Sequence, residues 1–272
     1  MSEFSLHRSG FARCVEILKD ALRQNQRDSV SVSTHRSAMA PQLAYGRHRG
    51  PVIGEVRRAA VLIALYFDPV QGWVAPLTLR PDDLEHHPGQ ISFPGGRVEL
   101  NESEEEAARR EFAEELGLVP RQAVIVGELS PIFVYASHHL VSPFVAVMPK
   151  PSLAWAPDPR EVAEVIEFPL ASLHQPSSKG RIRRVAKWNQ PRPMTSDVSE
   201  EVTEQETESL PVGQWLPENV TGRGAEHREL MFEAPAFRHG SHWIWGATAM
   251  MLHELGAALP CELLPLAESS SV

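Results

Sequence analysis

The chain has 272 residues, 42% of them hydrophobic, with a formal net charge of −9 at pH 7. That apolar content supports a packed core and excludes wholesale disorder. The negative balance argues against a protein that grips a nucleic-acid backbone, although an acidic protein binds phosphates well when divalent metals mediate the contact. Cys14 and Cys261 stand far apart with no CxxC spacing, which points to a reducing compartment. The opening "MSEFSLHRSG" lacks the apolar stretch of a secretory signal, and no apolar run reaches membrane-spanning length. The expectation is a soluble, cytoplasmic protein built as one full domain with additions, with neither a membrane nor a nucleic acid as partner. The oligomeric state stays open, a homodimer included.

In chain order, "FARCVEILKDALRQ" places Phe11, Val15, Leu18 and Leu22 at helical spacing. Residues 1–57 read as this helix followed by a polar linker. Ala59 to Phe67 is apolar and partly β-branched, a buried strand, and "DPVQGW" turns the chain into "WVAPLTLR", so a hairpin is predicted. A glycine-punctuated loop or short strand from Gly89 to Gly96 leads into an acidic helix that "GLVP" closes. "AVIVGELS" and "SPFVAVMP" read as strands, and "REVAEVIEFPL" as a strand with or without a leading turn. Residues 176–231 change character: "SSKGRIRRVAKW" is basic, whereas "TSDVSEEVTEQETESL" has six acids and no Lys or Arg. They read as a flexible insertion into a domain spanning 58–258. "HWIWGATAMMLHEL" reads as a helix with Ile244, Ala247, Met251 and Leu255 on one stripe, and 259–272 as a loose tail.

The stretch "GGRVELNESEEEAARREFAEELGL" is dense in glutamate, which is costly for a helix unless cations or a metal neutralise it. A rotation of about 100° per residue puts Glu111, Glu114 and Glu115 on one face, while Ala108, Phe112 and Leu116 form an apolar stripe. Clustered carboxylates are hard oxygen ligands suited to Mg²⁺ or Mn²⁺ held partly by protein and partly by substrate phosphate. Arg110 lies four residues before Glu114 and can tie the acidic set down; Glu102 falls at the helix start, where the dipole favours negative charge. A solvated acidic face is the bland alternative.

The spacing decides between them. Gly96, Glu102, Arg110-Glu111-Phe112, Glu114-Glu115 and Gly117-Leu118 resemble the Nudix box at every defined position. Chance agreement at seven fixed residues is on the order of one in a billion per register. The resemblance implies an α+β fold, a mixed β-sheet sandwiched between helices (α/β/α), and hydrolysis of a nucleoside diphosphate linked to another group. It implies Glu111 and Glu115 as principal metal ligands with Glu114 helping, and Arg110 and Glu102 as residues that shape the catalytic loop and helix. A backbone carbonyl near Gly95 or Gly96 would complete the metal shell. The base that activates water moves within this family, so Glu111, Glu161 and Glu164 are all candidates.

Upstream, "LTLRPDDLEHHPGQISFPGG" is similar to the extra signature of the coenzyme A pyrophosphatase subfamily. Leu77, Thr78, Arg80, Gly89, Phe93, Pro94, Gly95 and Gly96 fit, whereas Pro76, Pro81 and Glu85 depart from it, Glu85 replacing an Arg. Arg80 at a strand end suits a phosphate contact, with a surface ion pair as the competing role. Gly89, Gly95 and Gly96 would let backbone approach a ligand closely. His86 and His87 read as solvent-exposed or structural, with a phosphate contact as the alternative; His138-His139 reads as structural, and Trp243 and Trp245 as core packing rather than base stacking. The resemblance implies cleavage of coenzyme A or acyl-CoA to 3′,5′-ADP and a phosphopantetheine. The alternatives are ADP-ribose, a dinucleotide or another nucleoside diphosphate derivative as substrate, and a non-catalytic nucleotide-sensing module.

Overall fold

The computed structural model describes residues 3–27, 34, 38–40, 56–82, 89–134, 137–189 and 227–259. Among them, eight strands form one sheet: β1 (Arg57–Asp68), β2 (Gly72–Leu79), β3 (Ile91–Ser92), β4 (Gly95–Arg97), β5 (Val124–Glu128), β6 (Ile132–Val134), β7 (His139–Val147) and β8 (Glu164–Pro169). The main path runs β3-β2-β1-β7-β5, with β4 on β1, β6 on β7 and β8 on β2. β1 and β7 pair in parallel from Arg57↔His139 to Leu65↔Val147, and the other pairings are antiparallel, so the sheet is mixed.

β1 explains this architecture. Its run from Ala59 to Tyr66 is buried on both faces, as an unbroken apolar strand must be when layers cover it on each side. Ala60, Leu62, Ala64 and Tyr66 point to one side, where α2 (Glu104–Leu116) lays down Ala107, Ala108, Phe112 and Leu116. Ala59, Val61, Ile63 and Leu65 point to the other, towards α1 (Glu3–Arg27) and α3 (Gly246–Ala258). The result is the α+β, helix–sheet–helix sandwich the sequence implied.

α1 conforms to its pattern: Val15, Leu18 and Leu22 are buried and Phe11 is packed against them. It joins the main core, and Gln26 Nε2 donates to the Glu128 carbonyl of β5 at 2.9 Å. The helix is thus one of the layers rather than an appendage.

Two expectations need correction. The basic half of the presumed insertion is ordered: after short 3₁₀ turns at Leu170–His174 and Pro176–Ser178, β9 (Lys179–Asn189) pairs antiparallel with β10 (His227–His239) along eleven positions. Charged residues at alternate strand positions mislead composition, because only one face of a strand needs to be apolar. Second, His242–Trp245 is not helical. It is β11, paired with β10 from His239↔His242 to Ala236↔Trp245, and the helix begins at Gly246. Ile244 belongs to the same core as Met251 and Leu255, but from a strand. Trp243 and Trp245 lie on this small sheet, Trp243 packed over Gly180 and Trp245 beside Phe232 and the Arg184 guanidinium. The acidic run 195–210, His86, His87, Glu85, the tail 260–272 and most of the linker lie outside the described residues.

Candidate active site

α2 is started and stopped by local chemistry. Ser103 caps it: the Ser103 hydroxyl accepts from the Glu106 N–H at 3.2 Å, and the Glu106 carboxylate accepts from the Ser103 N–H at 2.8 Å. Glu104, Glu105 and Glu106 occupy the first turn, where the helix dipole favours them, and Gly117 at φ 65° ends the helix in the left-handed conformation. Burying Phe112 and Leu116 against β1 stabilises the helix by about 2 kcal/mol each. That packing fixes which face looks back along the sheet towards β4.

On that face Arg110 is the hub. Its Nε and Nη2 donate to the two Glu102 carboxylate oxygens at 3.2 and 2.8 Å. Nη1 donates to Glu111 Oε1 at 2.9 Å and Glu114 Oε2 at 3.1 Å, and Nη2 also reaches the Arg97 carbonyl at 3.0 Å. Its hydrogen bonds to Glu102 raise the Arg110 pKa further above its ordinary value. In return Arg110, together with the Glu99 N–H at 2.6 Å, holds Glu102 below the usual carboxylate range. The expected bracing pair is therefore in contact, and it ties the β4 end to α2.

Glu111 and Glu115 lie deeper. Burial is the main cause that raises the Glu111 pKa, opposed by Arg110 and reinforced by the charges of Glu114 and Glu161. Glu115 is 8% exposed, and burial together with the Glu111 charge pushes it up to about 7. Arg80, the Gly95 N–H and the Thr78 hydroxyl pull the other way. Glu114 sits at the rim, its side chain 55% exposed, and only Arg110 among the described residues reaches it by hydrogen bond. Two carboxylates held close in a low-dielectric site with too few cations describe a place that an added cation would stabilise.

β4 and the strand before it complete the floor. Gly96 pairs with Ala60 and presents bare backbone to the Glu111 carboxylate. Gly95 donates its N–H to Glu115. Arg80 comes directly after β2, its own N–H bound to the Gln90 carbonyl at 3.0 Å; its Nε is shielded from solvent and has no hydrogen-bond partner among the described residues. Gly89 turns the chain into β3 at φ 64°. Of the residues expected at the site, Glu102, Arg110, Glu111 and Glu114 are joined by hydrogen bonds, Gly96 abuts Glu111, and Arg80 and Gly95 act on Glu115, whereas Gly89 stands in the turn before β3.

The three candidate bases separate. Glu161 stands in a turn where its N–H and that of Val162 both bond the Asp158 carbonyl at 2.9 Å, and its charge reaches Glu111. Glu164 pairs with Leu79 on β8 and so points to the opposite face of the sheet from Thr78 and Val165; it lies 3.3 Å from His242 Nε2. Sequence reasoning gave no role to Thr78, whose hydroxyl lies 3.4 Å from Glu115 Oε2. Its signal in the sequence was its place between Leu77 and Arg80 in the coenzyme A signature, one hydroxyl in an otherwise apolar strand.

A ligand set of glutamates and backbone oxygens fits a hard divalent ion. Among the described residues no three His, Cys, Asp or Glu side chains already converge on one point; an ion here would need oxygen ligands from outside the chain as well. A mixed sheet thus lies between helices, and a glycine-bearing strand feeds a carboxylate-lined helix. The NUDIX domain model matches residues 56–188, and the "Uncharacterized Nudix hydrolase NudL" of Salmonella paratyphi B is 30% identical over 200 residues, 73% of this chain and 81% of that protein. The chain belongs to the Nudix hydrolase family. Among solved structures, a Caenorhabditis elegans Ap4A hydrolase binary complex is 22% identical, covering 42% of this chain and 81% of that one, with a TM-score of 0.37. The NUDIX domain of Shewanella oneidensis NrtR complexed with ADP ribose is 18% identical, covering 48% and 85%, with a TM-score of 0.35.

Proposed function

We propose that this Nudix hydrolase acts in the cytoplasm on coenzyme A or acyl-CoA, splitting the pyrophosphate into 3′,5′-ADP and (acyl-)4′-phosphopantetheine. The observation that carries the reading is the meeting of two sequence signatures at one point. Thr78, Arg80 and Gly95, from the run that resembles the coenzyme A subfamily, all act on Glu115 of the Nudix helix. The scarcity of cysteine supports the compartment.

Glu111 and Glu115 would hold Mg²⁺ or Mn²⁺, with Glu114 assisting from the rim. When bound, the ion polarises phosphoryl oxygens and lowers the pKa of water. The chain's own residues do the rest. Arg110 and Glu102 keep the carboxylates and the β4 loop in register, so little reorganisation is needed as charge develops. Arg80 offers its unengaged Nε to a substrate phosphate oxygen. Gly96 leaves room for backbone and carboxylate to approach the same ligand. Glu161 takes the proton from the attacking water, a role its coupling to Glu111 favours over Glu164.

The test is a substrate panel with Mg²⁺ or Mn²⁺: coenzyme A, acetyl-CoA, 3′-dephospho-coenzyme A, ADP-ribose and reduced NAD at equal low concentration. Coenzyme A should have the highest kcat/KM, with 3′,5′-ADP as product. A higher value for ADP-ribose would move the protein to the wider class of nucleoside diphosphate derivatives. No turnover on any of them, with nucleotide binding retained, would make it a sensing module.

A further inference from the structure

We propose that Thr78 is a positioning residue whose buried hydroxyl sets the orientation of the Glu115 carboxylate for the divalent ion. The inference rests on the reading of Glu115 as a metal ligand. Thr78 lies in β2 at 1% exposure, between the fully buried Leu77 and the half-buried Leu79. Packing alone would place valine here, because it has the same shape, favours strands and carries no hydroxyl to desolvate. The hydroxyl therefore needs a partner, and three stand at the same distance. Thr78 Oγ1 is 3.4 Å from Glu115 Oε2, from Ser92 Oγ and from the Ser92 carbonyl oxygen.

A hydroxyl has one proton to give and lone pairs to receive with. Ser92 Oγ donating to Thr78 Oγ1, and Thr78 donating on to Glu115 Oε2, uses both side chains and sends the proton to the charged acceptor. A charge-assisted bond of this kind is stronger than donation to the Ser92 carbonyl. The relay crosses from β3 through β2 to α2, since Thr78 and Ser92 are register partners in the β2–β3 pair. The Gly95 N–H donates to the same carboxylate from β4. Two donors from different strands stop the carboxylate turning about its Cγ–Cδ bond. β-branching restricts χ1 of Thr78, so the sheet itself fixes where that donor sits.

Thr78→Val keeps shape and removes the donor, while Thr78→Ser keeps the donor. The measurement is Mn²⁺ affinity of the full chain, read from free-ion electron paramagnetic resonance without substrate, with turnover and Tm alongside. Loss of a bond that orients a ligand costs about 10- to 100-fold in metal affinity. Thr78→Val should weaken Mn²⁺ binding by at least about ten-fold, with Thr78→Ser within about three-fold of the wild type. Wild-type affinity in Thr78→Val, or equal loss in both variants, overturns the proposal. If Thr78→Val does not fold, Ser92→Ala removes the relay's first donor and should weaken binding by about three-fold; an unchanged affinity there overturns it as well. Glu115→Gln separates the two levels: Mn²⁺ binding that survives it unchanged refutes the metal-ligand reading itself, whatever Thr78 does.

Discussion

Gly96 lies so close to the Glu111 carboxylate that a methyl group on its α-carbon would overlap both carboxylate oxygens. The obstacle is the far end of a flexible side chain, which can swing away. Gly96→Ala should therefore fold with a Tm within a few degrees of the wild type while kcat falls about 100-fold, the scale of a displaced reacting group. Gly95→Ala should do the opposite in stability. Its methyl would meet the Ala60 carbonyl and the Val61 backbone of β1, which cannot move cheaply, and about 1–3 kcal/mol of stability should be lost. Thermal melts and turnover of both variants check the pair.

Arg110 serves three carboxylates and a carbonyl at once, which only a planar guanidinium can do. Arg110→Lys keeps the charge and loses the fork. Stability should fall as the paired bonds to Glu102 are lost, and kcat should fall about ten-fold or more as Glu111 loses its restraint. Urea unfolding and steady-state kinetics on the same preparation would show both, and an unchanged kcat would remove Arg110 from the site's shaping.

Glu161, in its turn, and Glu164, at the start of β8, give a paired test. Glu161→Gln should slow turnover by about 10²–10⁴, the usual contribution of a general base. Glu164→Gln changes an exposed side chain beside His242 on the other face, and should leave kcat/KM within about two-fold. Equal effects in the two variants would return the proton to Glu111.

Away from the site, Lys150 Nζ lies 2.5 Å from Asp68 Oδ2, and the Val70 and Gln71 N–H groups donate to Asp68 Oδ1 at 2.8 and 2.9 Å. The Lys150 bond, then these backbone donors, hold the Asp68 pKa at about 2 against an ordinary 3.8. The fold thus favours the ionised form: its contribution is complete above about pH 4 and is lost as pH falls through 2. Asp68→Asn should be less stable than wild type at pH 7, and the difference should shrink between pH 4 and pH 2. A difference constant across that range, measured by denaturant melts, would contradict the assignment.

Much of this was legible in the sequence because the determining signals are local. The stripe of Ala108, Phe112 and Leu116 with its capping Ser103 and closing Gly117 specifies α2, and the same periodicity sets Glu111 and Glu115 along one flank of that stripe. The unbroken run of β1 announces burial on both sides. The hidden part depends on partners distant in the chain. Lys179–Asn189 reads as a charged tract until β10, supplied almost forty residues later, gives it a strand to pair with. His242–Trp245 shares its apolar periodicity with the helix at Gly246–Ala258, and only pairing with Ala236–His239 makes it a strand. Thr78 meets Ser92 only through the β2–β3 register, and Glu115 only when α2 packs on that face of the sheet.

Glu115 is the residue on which the metal assignment turns. It is buried on α2, bonded by the Gly95 N–H and the Thr78 hydroxyl, and coupled to Glu111 and Arg80. Glu115→Gln removes the charge and nearly preserves the volume. The decisive measurement is kcat of this variant on coenzyme A at saturating Mg²⁺, with Tm measured in parallel. A fall of at least about 10²–10³ with Tm maintained is the expected result, the scale of losing one preorganised charge-stabilising group. Near-native turnover at saturating Mg²⁺ would contradict it, and the metal would then have to be held elsewhere.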